Sequence, residues 1–103
     1  MLENIDDYQV WTRSTAIYTD NDYPVLGLAE EAGEVLGKFA KWKRDDTEFP
    51  TEAIVKELGD VMWMVARIAD DMHIPMSEVL QTNKDKLDSR KQRDVLQGSG
   101  DNR

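Results

Sequence analysis

Two stretches of this chain carry the same apolar stripe in the same helical register. At about 100° per residue, Leu28, Ala32, Val35, Leu36 and Phe39 fall within one sector about 100° wide. Ile54, Leu58, Val61, Met62, Val65 and Ile68 share a sector about 120° wide. A shift of 26 residues lays the first stripe on the second, with Leu28 on Ile54, Val35 on Val61 and Phe39 on Val65. Stripes with this period belong to amphipathic helices that bury one face. No segment shows sustained strand alternation, so the chain is expected to fold as an all-α bundle.

Two further helices complete the count. The first is expected from about Ile5 to Tyr18, ending at the turn-forming run Asp20-Asn21-Asp22-Tyr23-Pro24. The second runs from about Val25 to Lys43. Thr51 is the expected N-cap of the third, which extends to about Met72. His73 is read as a turn residue before Ile74-Pro75. Ser77 is the expected cap of a fourth helix reaching about Arg93. Residues 1–96 thus read as one domain and 97–103 as a Gly-rich tail. Gly27, Gly33 and Gly37 each weaken the second helix by roughly 1 kcal/mol relative to alanine. With Ala29 and Ala40, the last two give that helix a small-residue face suited to close approach.

The superposition that aligns the stripes also aligns acids. Glu31 falls on Glu57, and Glu34 on Asp60. Residues three apart on a helix are neighbours on one face, separated by ~4.5 Å of rise. Each pair flanks its stripe, so packing the two helices together brings the four carboxylates to the edge of the core. Like charges there repel, and partial burial disfavours their ionised forms. A hard divalent cation removes that penalty. Oxygen-only ligands select magnesium or manganese over zinc. The bland alternative is two solvated acidic faces.

Composition closes off most other chemistry. The chain has no cysteine and one histidine, which excludes disulfides, thiolate metal sites, cysteine nucleophiles and a multi-histidine site within one chain. A charge of −8 argues against nucleic acid as a partner. The longest uncharged apolar stretch, Val61 to Ala66, is far short of the ~18 residues of a membrane span. Glu3, Asp6 and Asp7 precede any apolar run, unlike a signal peptide, so a cytoplasmic location is expected. Asp20-Asn21-Asp22 resembles the start of a calcium loop. It fails at Pro24 and Val25, where an oxygen ligand and a glycine are required.

Charge is also unevenly placed. Residues 1–34 hold eight acids and one base, whereas residues 81–103 hold six bases and four acids. Lys86 and Arg90 are i, i+4 neighbours, close enough to share a phosphate. Gly98-Ser99-Gly100 can present backbone N–H groups to phosphate oxygens. The ordinary alternatives are a helix dipole complemented by bases and a frayed terminus.

The pattern Glu31-x-x-Glu34 followed by Glu57-x-x-Asp60 resembles the MazG-like all-α nucleoside triphosphate pyrophosphohydrolases. The strings Leu28-Ala29-Glu30-Glu31-Ala32-Gly33-Glu34 and Lys56-Glu57-Leu58-Gly59-Asp60-Val61 are similar to that family's two metal helices. Asn83-x-x-Lys86-Leu87-x-x-Arg90 and the closing Gly98-Ser99-Gly100-Asp101-Asn102-Arg103 resemble its C-terminal part, so the likeness runs from Tyr8 to the end. The resemblance implies a four-helix fold in which Glu31, Glu34, Glu57 and Asp60 hold magnesium, with manganese as substitute, against a triphosphate. Metal-activated water attacks the α-phosphorus and yields a nucleoside monophosphate and pyrophosphate. Its implied role is control of the nucleotide pool.

Within that resemblance, Glu30 is a candidate to orient or deprotonate the water or to support the ligands. Lys86, Arg90, Asn83, Gly98, Gly100 and Arg103 are candidate contacts to phosphate or sugar, and Tyr8 and Trp11 to the base. Trp63 lies opposite the third helix's stripe and faces either a partner chain or the ligand. All-α dUTP or dCTP hydrolases and phosphoribosyl-ATP pyrophosphohydrolases share the implied fold. A chain this short is expected to complete its core by oligomerisation, as a homodimer or a homotetramer built as a dimer of dimers. The non-enzymatic alternative is an acidic helical oligomerisation or adaptor module.

Overall fold

A computed structural model of the protein describes residues 2–103. It has four α-helices and, among the described residues, no strand: α1 Ile5–Thr12, α2 Asp22–Asp45, α3 Thr51–Asp71 and α4 Met76–Gln92. The central unit is the hairpin of α2 on α3, and α1 and α4 pack across α3.

α1 is shorter than its sequence pattern suggests. It gives way to a single 3-10 turn at Arg13–Thr15. The cause is a run of hydroxyls: Thr12 donates to the Gln9 carbonyl (2.6 Å), Ser14 to Trp11 (2.7 Å) and Thr15 to Thr12 (3.0 Å). Such bonds compete with the helical ladder and tighten its last turn. α2 starts earlier than expected. Pro24 lies inside its first turn, where a missing N–H costs nothing.

Neither expected hydroxyl cap forms. Pro50 precedes α3, and the Thr51 amide donates to the Phe49 carbonyl. α4 is capped from another helix. Gln9 of α1 accepts from the Met76 amide (2.9 Å), while the Asp6 carboxylate accepts from the Ser77 amide (2.8 Å) and hydroxyl (2.6 Å). These bonds satisfy amide donors that a helix start leaves unpaired.

α3 and α4 end alike. His73 and Asp94 adopt left-handed backbone angles, φ 60° and 57°. The Ile74 amide reaches back to the Ala69 carbonyl (2.9 Å) and the Val95 amide to Arg90 (2.8 Å). Both are Schellman closures. The turn role read for His73 is thus the observed one.

The buried hydrophobic residues are few: Ile54, Met64, Ala66, Ala69 and Met76, with Ile5, Tyr8 and Val65 packed against the last three. The stripes are covered only in part. Leu36 is 70% exposed and Leu58 48%, because α2 touches α3 along one edge and nothing covers its far side. Of the glycines flagged on α2, Gly27 makes the close approach: a Cβ there would sit 2.7 Å from the Met64 thioether. Gly33 and Gly37 face open space. No helix among the described residues is long and apolar enough to cross a membrane.

Candidate active site

The antiparallel hairpin brings acids from both helices together. Glu31 of α2 and Glu57 and Asp60 of α3 each place a carboxylate oxygen within 4.8 Å of the others. Glu31 and Glu57 are half-buried and Asp60 is exposed. Glu34, one turn further along α2, is exposed and outside this group, as is Glu30. The crowding has an electrostatic effect. Burial, then the charges of Asp60, Glu57, Glu30 and Glu34, hold the Glu31 carboxyl above its ordinary range.

Aromatic residues border the acids on one side. Glu31 and Asp60 form part of the wall of a cavity of about 670 Å³ with Tyr18, Tyr23, Trp63 and Ile17. Tyr18 stacks on Tyr23 with ring centres 5.4 Å apart, and Trp63 meets Tyr18 edge-on at 6.3 Å. The Trp63 indole N–H donates to the Thr15 hydroxyl (2.8 Å). Arg67, only 6% exposed, donates to Tyr18 Oη (3.0 Å), Thr12 Oγ1 (3.2 Å), Asp70 (2.8 Å) and Asp71 (2.9 Å). This network pins the segment after α1, and with it the aromatic wall, onto α3.

Tyr8 stands beside the acids as well. Burial, followed by the charge of Asp60, pushes its phenol above the usual value. Trp11 tilts against Tyr8 at 5.7 Å, half exposed. On the other side of the group, Lys38 Nζ lies 4.0 Å from Glu57 Oε1.

The basic candidates form a separate cluster on α4. Arg90 is buried and donates to the carbonyls of Asp101 (2.7 Å) and Gly100 (3.3 Å). Lys86 pairs with the Asp101 carboxylate (3.3 Å), and Arg103 folds back onto the carbonyls of Val95, Leu96 and Gly100. The tail is therefore packed rather than frayed. Gly98 and Gly100 permit this path with φ of 138° and 85°. Asn83 is exposed on α4.

Lys38, Tyr18 and Tyr23 were not among the sequence candidates. Lys38 had a signal, since it lies seven residues from Glu31 on the same helical face. The tyrosines had none, because they flank a turn whose path is set by Arg67.

The sequence is similar to known proteins. The MazG nucleotide pyrophosphohydrolase domain matches residues 22–94, which include both acid pairs and all of α4. The Gene 37 protein of Mycobacterium phage L5 is 43% identical, in an alignment covering 97% of this chain and 99% of that protein. No solved structure matches the chain. With two-thirds of its length matched and its helix-borne acids brought together, the chain belongs to the MazG nucleotide pyrophosphohydrolase family.

Proposed function

We propose that the protein is a magnesium-dependent pyrophosphohydrolase acting on a ribo- or deoxyribonucleoside triphosphate. The observation that carries this reading is the meeting of Glu31 with Glu57 and Asp60 across two helices. Three clustered carboxylates, one held above its ordinary range, form an all-oxygen donor set with excess negative charge. That set fits a hard divalent cation, magnesium first and manganese as substitute. Glu31, Glu57 and Asp60 would hold it, with Glu34 as a fourth ligand on turning inward. When bound, such a cation offsets phosphate charge and lowers the pKa of water.

The chain's own residues supply the rest. The aromatic wall of Tyr18, Tyr23 and Trp63 takes the base by stacking. Tyr8 and Trp11 border the site from α1. The oxygen of water attacks the α-phosphorus, the bond to the bridging oxygen breaks, and pyrophosphate departs. Glu30, exposed beside Glu31, is the candidate to orient that water or accept its proton. Lys86 serves as a phosphate contact by releasing Asp101, and Asn83 as a sugar contact. Arg90, Gly98, Gly100 and Arg103 shape the tail that covers α4.

We propose further that the working unit is a homodimer, alone or paired as a tetramer. The chain exposes 7,824 Å², against about 5,900 Å² for a compact protein of this mass. Uncovered apolar side chains on the hairpin, Leu36, Phe39, Val55 and Leu58 among them, account for part of the excess.

The test is incubation with magnesium and a panel of nucleoside triphosphates, resolving products by chromatography. Monophosphate plus pyrophosphate is expected, lost in Glu31→Gln and Asp60→Asn while the helical circular dichroism persists. Full activity in both variants would sink the reading. An acidic binding module instead predicts no turnover and no thermal stabilisation by magnesium.

A further inference from the structure

We infer that the lysine-bearing cavity on the loop side of the acidic group receives the pyrophosphate half of the substrate, with Lys38 as its phosphate-binding cation. This rests on the reaction proposed above and adds a direction to it.

Three pairings fix the order of features along the α2–α3 hairpin. Gly27 meets Met64, Glu31 meets Asp60 and Glu57, and Lys38 meets Glu57. The aromatic cavity shares Glu31 and Asp60 with the acidic group. A second cavity, of about 650 Å³, shares Glu57 and is lined by Lys38 and Lys56 beside Phe49 and Pro50. The acids therefore stand between an aromatic chamber and one that carries two lysines. From Trp63 to Lys56 the helix rises about 10 Å, a span suited to a base at one end and outer phosphates at the other.

Lys38 is the better placed of the two lysines. Its side chain is 30% exposed, and its paired acid is Glu57. Lys56 is 74% exposed and pairs with Glu52 one turn away (3.7 Å). In the free protein Lys38 offsets part of the charge of Glu57. With a divalent cation held by Glu57, the Lys38 ammonium would be released to an anion in its own cavity. As the bond from the α-phosphorus to the bridging oxygen breaks, negative charge moves onto the departing pyrophosphate, where the ammonium offsets it. Glu48 and Glu52 also line the cavity, so pyrophosphate requires both the divalent cation and Lys38 to bind.

Calorimetry tests this without turnover, with magnesium alone, and with inorganic pyrophosphate or a nucleoside monophosphate in magnesium. Lys38→Gln is expected to weaken pyrophosphate by about tenfold or more, the loss of one charge-assisted contact. It should leave the monophosphate within about twofold and bind magnesium no more weakly than the parent. Lys38→Arg should restore pyrophosphate binding. Unchanged pyrophosphate affinity in Lys38→Gln, or an equal loss for both ligands, overturns the inference while leaving the reaction standing. A parent protein that binds neither magnesium nor pyrophosphate overturns the reaction and the inference together.

Discussion

Glu31 is the residue at which fold and chemistry conflict. Burial and four neighbouring carboxylates raise its proton affinity in the folded chain. A carboxyl raised in this way favours the fold below its ordinary value, and that contribution is lost as pH rises through the raised folded value. At neutral pH the ionised side chain therefore opposes folding. Without divalent cations, Glu31→Gln is expected to raise Tm at pH 7 by a degree or two, the equivalent of a few tenths of a kcal/mol of relieved repulsion. The same variant should lose most of the magnesium-induced rise in Tm. Differential scanning fluorimetry with and without magnesium checks both, and a lowered metal-free Tm would contradict the electrostatic account. Arg67 has the opposite character, a buried charge whose partners on α1, the following turn and α3 are all in place.

At the scale of elements, the helices are ended and joined by contacts that propensity alone does not supply. α4 starts on side chains of α1. Its bond to Ser77 holds the Asp6 carboxyl below its ordinary value. A carboxyl lowered in this way stabilises the fold above the ordinary carboxylate range, and the effect is lost as pH falls through the depressed folded value. Asp6→Asn should therefore melt below the parent at pH 7, with the gap closing toward pH 3. Thermal melts across that range measure it, and a pH-independent gap would point to packing instead. α3 and α4 each end on a non-glycine residue at positive φ, His73 and Asp94. A left-handed residue costs about 1 kcal/mol more for an L side chain than for glycine. His73→Gly is therefore expected to raise Tm by about 4 °C in heat-unfolding experiments.

At the scale of the whole molecule, the chain is too open for its length. Its radius of gyration is 16.5 Å, against about 13 Å for a compact domain of 103 residues. Leu36 and Leu58 point away from the single-chain core although their spacing marks them as stripe residues. A second copy covering this face reconciles the two observations. Sedimentation is expected to give at least a dimer, with a Tm that rises with protein concentration. Leu36→Glu should shift the equilibrium to monomer, because a charge in an apolar interface is costly to desolvate. A monomeric parent at tens of micromolar would remove this reading.

The amino-acid order by itself determined the four helices and the two acid pairs, because helical period and spacing are local properties. It also determined the family, since the acids keep their spacing within recognisable strings. Helix ends were less legible. The start of α4 depends on Asp6 and Gln9, some seventy residues away, and the end of α1 on a hydroxyl run that the period does not register. Tertiary structure alone decided that Glu31, Glu57 and Asp60 form the close group while Glu34 stays outside it. It also decided that Tyr18 and Tyr23 wall the site, and that Arg90 lies under the tail. Periodicity fixes the face of a helix that a residue occupies. The depth, rotamer and partner of that residue follow from how the helices cross, and crossing is set by contacts far apart in the chain.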